Sequence, residues 1–292
     1  MTGRKLLKRQ KLRNNEYYDM QSVFDELYEN SLAKCEFKNL ISIITAEENI
    51  RLAYRNLKKN AGSRTPGTDG KTIADLAKMS EPELIGFVQQ KFNWYQPQSV
   101  RRKEIPKGNG KTRPLGIPTI MDRLIQQCVL QVMEPICEAK FCETSNGFRP
   151  NRGVENALAQ AEKHMQKSNL HIVIDIDIKG FFDNVNHGKL LRQIWTMGIH
   201  DKKLLSIISA MLKAEVAGIG FPEKGTPQGG ILSPLLSNIV LNELDWWITS
   251  QWVGMPTRHE YSGKIHENGT KDQSKKYREL RKTNLKECYI VR

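Results

Sequence analysis

The sequence predicts an α/β (α+β) fold: a small antiparallel sheet backed by helices. Three patterns carry that prediction. Residues 100–105 and 112–117 are strand-like and flank Pro106-Lys107-Gly108-Asn109-Gly110-Lys111, whose Gly and Asn-Gly residues signal a hairpin. Residues 172–178 alternate isoleucine with Val173, Asp175 and Asp177. Met121, Leu124, Ile125, Cys128, Val129, Val132 and Met133 recur at helical spacing and form one apolar stripe.

Composition narrows the function classes. The 292 residues are 39% hydrophobic, enough for a substantial core. The net charge of +13 and a pI near 9.5 favour a polyanionic partner, RNA or DNA first. The five cysteines include no pair at zinc-ribbon or finger spacing, so they read as reduced thiols of a cytoplasmic protein. No apolar run reaches the length of a membrane span, and no apolar signal core follows the basic N-terminus.

Along the chain, residues 1–45 read as a basic helical extension, either an RNA-binding arm or a solvated end. Thr45 and Glu48 have the spacing of a capping box; Ile50, Tyr54 and Leu57 continue that helix and Gly62 ends it. Residues 61–70 form a loop rich in turn residues. In the hairpin, a three-residue loop Gly108 to Gly110 sets Lys107 opposite Lys111 and Ile105 opposite Arg113. Lys107, Lys111 and Arg113 then share one face, whereas a two-residue turn splits Lys107 from Arg113. The long helix spans about Asp122 to Glu134, where Pro135 stops it. Further helices cover about 153–166, with Val154, Ala157, Leu158 and Ala161, and from Pro234 to about Trp247, with Ser233 as cap. Residues 254–286 read as a flexible basic insertion.

The chemistry centres on residues 172–178. Period two puts the isoleucines on one face and Val173, Asp175 and Asp177 on the other. Two carboxylates there suit a divalent cation with oxygen ligands, magnesium first; they equally suit a solvent-facing strand paired with Arg or Lys. Lys179-Gly180-Phe181-Phe182-Asp183 places a glycine and two aromatics at the end of that segment, where a phenyl ring can pack on a sugar and exclude a 2′-hydroxyl. Asn186 reads as the cap of the next helix. Lys107 and Arg113 can grip a triphosphate, and Arg101, Arg102 and Lys103 extend the patch along a nucleic-acid backbone. The segment Gly225-Thr226-Pro227-Gln228-Gly229-Gly230 is a shaped turn ahead of a buried helix. Its amides can face a phosphate or a base, and Gln228 can bond a sugar or base edge. Its spacing is not that of a Walker A or Rossmann loop.

Four blocks in order carry a resemblance. They are Ile105-Pro106-Lys107 with Arg113-Pro114-Leu115-Gly116-Ile117-Pro118; Ser145-Asn146-Gly147-Phe148-Arg149-Pro150; Asp177-Ile178-Lys179-Gly180-Phe181-Phe182-Asp183; and the segment from Gly225 to Asn238. Over roughly residues 45–245 the chain resembles group II intron-encoded reverse transcriptases, maturases included. The resemblance implies right-hand polymerase fingers over 46–165, with the family's extra N-terminal block, and a palm over 166–292. It implies an RNA-directed DNA polymerase with two magnesium ions, in which Asp177 is a catalytic metal ligand and the Ile178 carbonyl helps the second ion. Phe181 is then the steric gate favouring deoxynucleotides, Lys107 and Arg113 hold the incoming triphosphate, and Gln228 and Gly229 line the nucleotide pocket. Asp175 is a supporting residue, and Arg149 and Arg152 join Arg101, Arg102 and Lys103 on nucleic acid. Implied partners are intron RNA, an RNA template with a DNA primer, and deoxynucleotide triphosphates; no membrane is implied, an oligomer is compatible, and the setting is the bacterial cytoplasm at the nucleoid. The family continues beyond a strand like Cys288 to Arg292 with Tyr-Ala-Asp-Asp and a thumb. The expectation is therefore a fragment that binds without efficient synthesis. A splicing scaffold with secondary polymerase activity is the alternative.

Overall fold

The computed structural model describes residues 11–106, 108, 110, 112–166, 172–226, 229–250, 265–267, 269, 272, 274, 291 and 292. At its centre is the helix Ile120–Glu138, whose Leu124, Ile125, Cys128, Val129, Val132 and Met133 are each 0% exposed. Thr119 caps it by accepting from the Asp122 amide. The helix runs through Pro135 instead of stopping there. Ile136 and Cys137, beyond the proline, are themselves fully buried. A fully buried isoleucine contributes about 1.5–3 kcal/mol, which offsets much of the hydrogen bond that proline removes. Burial also pushes the thiols of Cys128 and Cys137 far above their ordinary range, so both are inert packing residues.

Helices Gln21–Leu32, Leu40–Ile44 and Glu47–Lys59 pack on this centre and contribute Phe24, Leu27, Leu40, Ile44, Ile50 and Leu57 to the core. The expected basic extension is helical over most of its described residues, and from Met20 onward it contributes to the core. Thr45 does not cap the helix after it. Its hydroxyl donates to the Ile41 carbonyl at 2.8 Å, closing the preceding helix, and Glu47–Lys59 begins after Ala46 with no side-chain cap. That helix also ends before Gly62, where Asn60 accepts from the Gly62 amide at 2.9 Å and opens a short 3₁₀ turn, Ala61–Arg64.

The loop that follows is held against the central helix. Buried Arg123 donates to the carbonyls of Gly62 at 2.7 Å and Thr65 at 2.6 Å. Gly67 lies so close that a Cβ there would sit 2.6 Å from Thr119 Cα. Backbone cannot yield as a flexible side chain can. Gly67→Ala is therefore expected to destabilise the protein by about 1–3 kcal/mol, the usual scale of overpacking, read as a fall in melting temperature.

Strands β1 (Arg101–Pro106) and β2 (Thr112–Ile117) pair antiparallel, with Ile105 opposite Arg113 and Pro106 opposite Thr112. That is the register of the three-residue loop. Lys107, Asn109 and Lys111 lie outside the described residues. The α+β class with a small antiparallel sheet stands, but that sheet is the hairpin. Residues 172–178 form no ladder, and Ile172, Ile174 and Ile176 are 85%, 77% and 71% exposed. The reason is that a strand needs a neighbour for its amides and carbonyls, and no described segment pairs with this one. The expected strand from Cys288 lies outside the described residues except for Val291 and Arg292, and the expected insertion 254–286 lies almost wholly outside them.

Two compact units are distinguished. One comprises residues 1–141, 148–151 and 174–240 and contains the central helix and the hairpin. The other comprises 142–147, 152–173 and 241–292. In the second, Asp245 is 0% exposed and forms an ion pair with Arg292 at 2.6 Å, while the Arg292 amide donates to the Thr144 carbonyl at 3.0 Å. Its helix Val154–Gln166 matches the sequence expectation, yet none of its residues is buried. No described helix is long and apolar enough to cross a membrane.

Candidate functional site

The site is built from three segments of the first unit. Gly180 takes a left-handed conformation, φ 61°, and opens a one-turn helix, Phe181–Asn184. Asn184 Nδ2 donates back to the Gly180 carbonyl at 2.9 Å. Phe181 is half-buried against the core and meets Phe182 edge to face, with centroids 5.6 Å apart. Asn186 accepts from the Lys189 amide at 2.8 Å and caps His187–Thr196, as the sequence indicates.

The glycine-rich segment is stitched to this turn. The Thr226 amide donates to the Phe182 carbonyl and the Gly225 amide to the Val185 carbonyl, both at 2.7 Å. Lys224 Nζ donates to Asn184 Oδ1 at 2.9 Å. The Gly225 carbonyl only accepts, so His187 Nε2, 2.7 Å away, carries a proton. Sequence inspection passed over His187, Asn184 and Lys224, because single polar residues beside a glycine carry no periodic signal.

Gly229 then seats this segment on the hairpin. Its φ is +113°, and a Cβ would stand 2.5 Å from the Gly116 oxygen and 2.9 Å from Leu115 Cδ1. The Ile231 amide donates to Gln126 Oε1 at 2.8 Å, tying the same segment to the central helix. Gly229→Ala combines a disfavoured φ with a backbone clash. A strained backbone alone costs about 1–3 kcal/mol, and a loss of that size in thermal unfolding is expected.

The predicted site residues are distributed as follows. Asp175 and Asp177 are exposed, and neither has an ion pair among the described residues; Ile178 is 47% exposed. Arg113 is exposed on β2, on the face shared with Arg101, Lys103 and Ile105. Arg102, on the opposite face, pairs with Glu104 at 2.7 Å. Arg152 donates to the Glu143 carbonyl. Lys107 and Gln228 lie outside the described residues. Arg149 departs from expectation: its side chain is 3% exposed, pairs with Glu138 at 2.9 Å and lies over the Phe141 ring at 5.2 Å. Positive φ at Phe148 and Asn151 (53° and 62°) brackets this turn, and its outward residue is Phe148, 74% exposed. Glu138 and the Phe141 ring hold the Arg149 side chain inside the first unit.

Among the described residues no three His, Cys, Asp or Glu side chains gather to hold a metal. The Asp177 carboxylate and the Ile178 carbonyl are oxygens of the kind hard cations take, but two donors are an incomplete shell.

A family model described as reverse transcriptase (RNA-dependent DNA polymerase) matches residues 105–267. Protein YkfC of Escherichia coli K12 is 35% identical over 231 residues, 76% of this chain and 60% of YkfC. Group II intron-encoded protein LtrA of Lactococcus lactis is 38% identical over 240 residues, 78% of this chain and 38% of LtrA. A putative COX1/OXI3 intron 1 protein of Saccharomyces cerevisiae is 29% identical, covering 77% of this chain and 26% of its own length. The chain thus spans 60% or less of these curated relatives. Reverse transcriptases act on nucleic acid and use divalent metal ions. With more than half its length matched and its motif blocks in order, the chain belongs to the reverse transcriptase (RNA-dependent DNA polymerase) family, and within it resembles the group II intron-encoded members.

Proposed function

We propose that the chain supplies the fingers and palm of an RNA-directed DNA polymerase of the group II intron type. It extends a DNA primer along an RNA template with deoxynucleotide triphosphates, and it binds its intron RNA. The observation that carries this reading is the convergence of three motif blocks. Thr226 is bonded to the Phe181–Asn184 turn and Gly225 to Val185 just after it, and Gly229 rests on β2 against Gly116 and Leu115.

Each residue then has a defined task. Arg113, on an exposed strand face, can hold phosphate oxygens through two parallel N–H donors. Asp177 and the Ile178 carbonyl would hold magnesium. Two such ions, when bound, neutralise charge on the attacking and leaving oxygens. Phe181 is fixed from behind by Phe182 and the core, so its ring is a rigid limit beside the sugar. In the full-length protein, Phe181→Ala is expected to raise ribonucleotide incorporation relative to deoxyribonucleotide by about tenfold or more, since small steric differences in a pocket are worth roughly 1–3 kcal/mol. Single-nucleotide primer extension with matched triphosphate pairs measures it. Unchanged sugar selectivity removes Phe181 from this role.

A further inference from the structure

Arg113 lies on one face of the hairpin. On the other, Arg102, Pro114 and Gly116 meet the segment 212–226 around an open cleft of about 190 Å³. Its walls are apolar, with Val100, Val216 and Pro222 among them. The Val100 amide donates to the Glu215 carbonyl at 2.7 Å, and the Ala217 amide to the Val100 carbonyl at 2.9 Å, so the two walls are locked together. Thr226 lines the cleft at 3% exposure, and its buried hydroxyl has no hydrogen-bond partner among the described residues. Asp183 also lines it, exposed and without an ion pair among the described residues. Nothing in the proposed polymerase chemistry uses either group.

We propose that this cleft binds one unpaired nucleobase of a single-stranded RNA, guanine by preference. Its volume falls below the roughly 300–1,000 Å³ of pockets that enclose a drug-sized ligand, so it suits a single ring system. Apolar walls cover the faces of a flat ring. A buried hydroxyl without a partner is costly, and a base edge supplies one. The Asp183 carboxylate only accepts, and guanine presents two adjacent N–H donors on its pairing edge. Arg102 and Lys224 also line the cleft and can meet the flanking phosphates. Among the described residues Arg102 is tied only to exposed Glu104, a pair that a phosphate can displace at little cost. The net charge of +13 selects a polyanion over a neutral metabolite. The proposal rests on the polymerase reading only for the identity of the strand.

The test uses short oligouridines carrying one central guanosine, inosine or adenosine, titrated against the chain by fluorescence anisotropy. The guanosine oligomer should bind about tenfold tighter than the adenosine one, the scale of one bidentate base contact. Inosine should fall between them. Asp183→Asn should erase the preference, and Thr226→Val, nearly isosteric, should weaken binding of the guanosine oligomer. A central 6-thioguanosine should photo-crosslink to peptides within 212–226. Equal affinity for guanosine and adenosine, or crosslinks confined to the face bearing Arg113, overturns the proposal. Guanosine monophosphate competing as well as the oligomer also overturns it and marks a free-nucleotide site. Primer extension by the full-length protein reports separately on the polymerase reading.

Discussion

Asp177→Asn in the full-length protein should lower templated DNA synthesis on the order of a thousandfold or more, while leaving its melting temperature unchanged. The first half follows from charge: asparagine keeps the shape of the side chain but loses the anion that would hold a divalent cation. Removing even one preorganised electrostatic group from a reacting centre costs about 10²–10³ in rate, and a metal ligand organises more than one contact. The second half follows from the structure. Asp177 is exposed and without an ion pair among the described residues, so the fold does not depend on it. Surface substitutions of that kind stay within about 0.5 kcal/mol. The two measurements together separate a chemical role from a structural one. Undiminished primer extension, or a large fall in melting temperature, removes Asp177 from the centre of the mechanism. Asp175→Asn is the internal contrast, expected to give a far smaller loss because Asp175 is a supporting residue in the same segment.

What could be read from the sequence was whatever depends on neighbours in the chain. The stripe from Met121 to Met133 and the Asn-Gly hairpin are local periodicities, and both elements form. Asn186 caps because a cap needs only the next three residues. Thr45 failed the same test because a helix ending at Ile44 had already engaged its hydroxyl. Pro135 failed as a stop because the burial of Ile136 and Cys137 is tertiary, and tertiary packing overrides local preference. Residues 172–178 have the pattern of a strand, but pairing belongs to two segments and cannot be read from one. The glycine-rich block could be recognised as a shaped turn. The reason Gly229 must be glycine, the oxygen of Gly116, lies more than a hundred residues away in the chain.

Arg149 shows most clearly where sequence reasoning ran out, and its substitution is the other large effect expected. The family resemblance implies a nucleic-acid contact for the arginine of the Gly-Phe-Arg-Pro turn. The fold instead brings it to Glu138, with Arg149 Nε 3.1 Å from both carboxylate oxygens and a terminal nitrogen 2.9 Å from Oε2. The side chains of the pair are 3% and 16% exposed. Breaking one partner of a buried pair costs about 3–5 kcal/mol, and some water at Glu138 places this one near the lower end. Arg149→Met should therefore lower stability by about 3 kcal/mol, measured by denaturant unfolding. Arg149→Lys should recover only part of that loss, because an ammonium cannot make two parallel bonds to one carboxylate. In Arg149→Met/Glu138→Gln the orphaned anion is gone, so the double variant should be more stable than the sum of the two single losses predicts. A phosphate contact predicts the opposite pattern: unchanged stability, and a salt dependence of RNA binding that is shallower by about one unit of slope. Only the buried pair accounts for a stability loss that its own partner's substitution relieves.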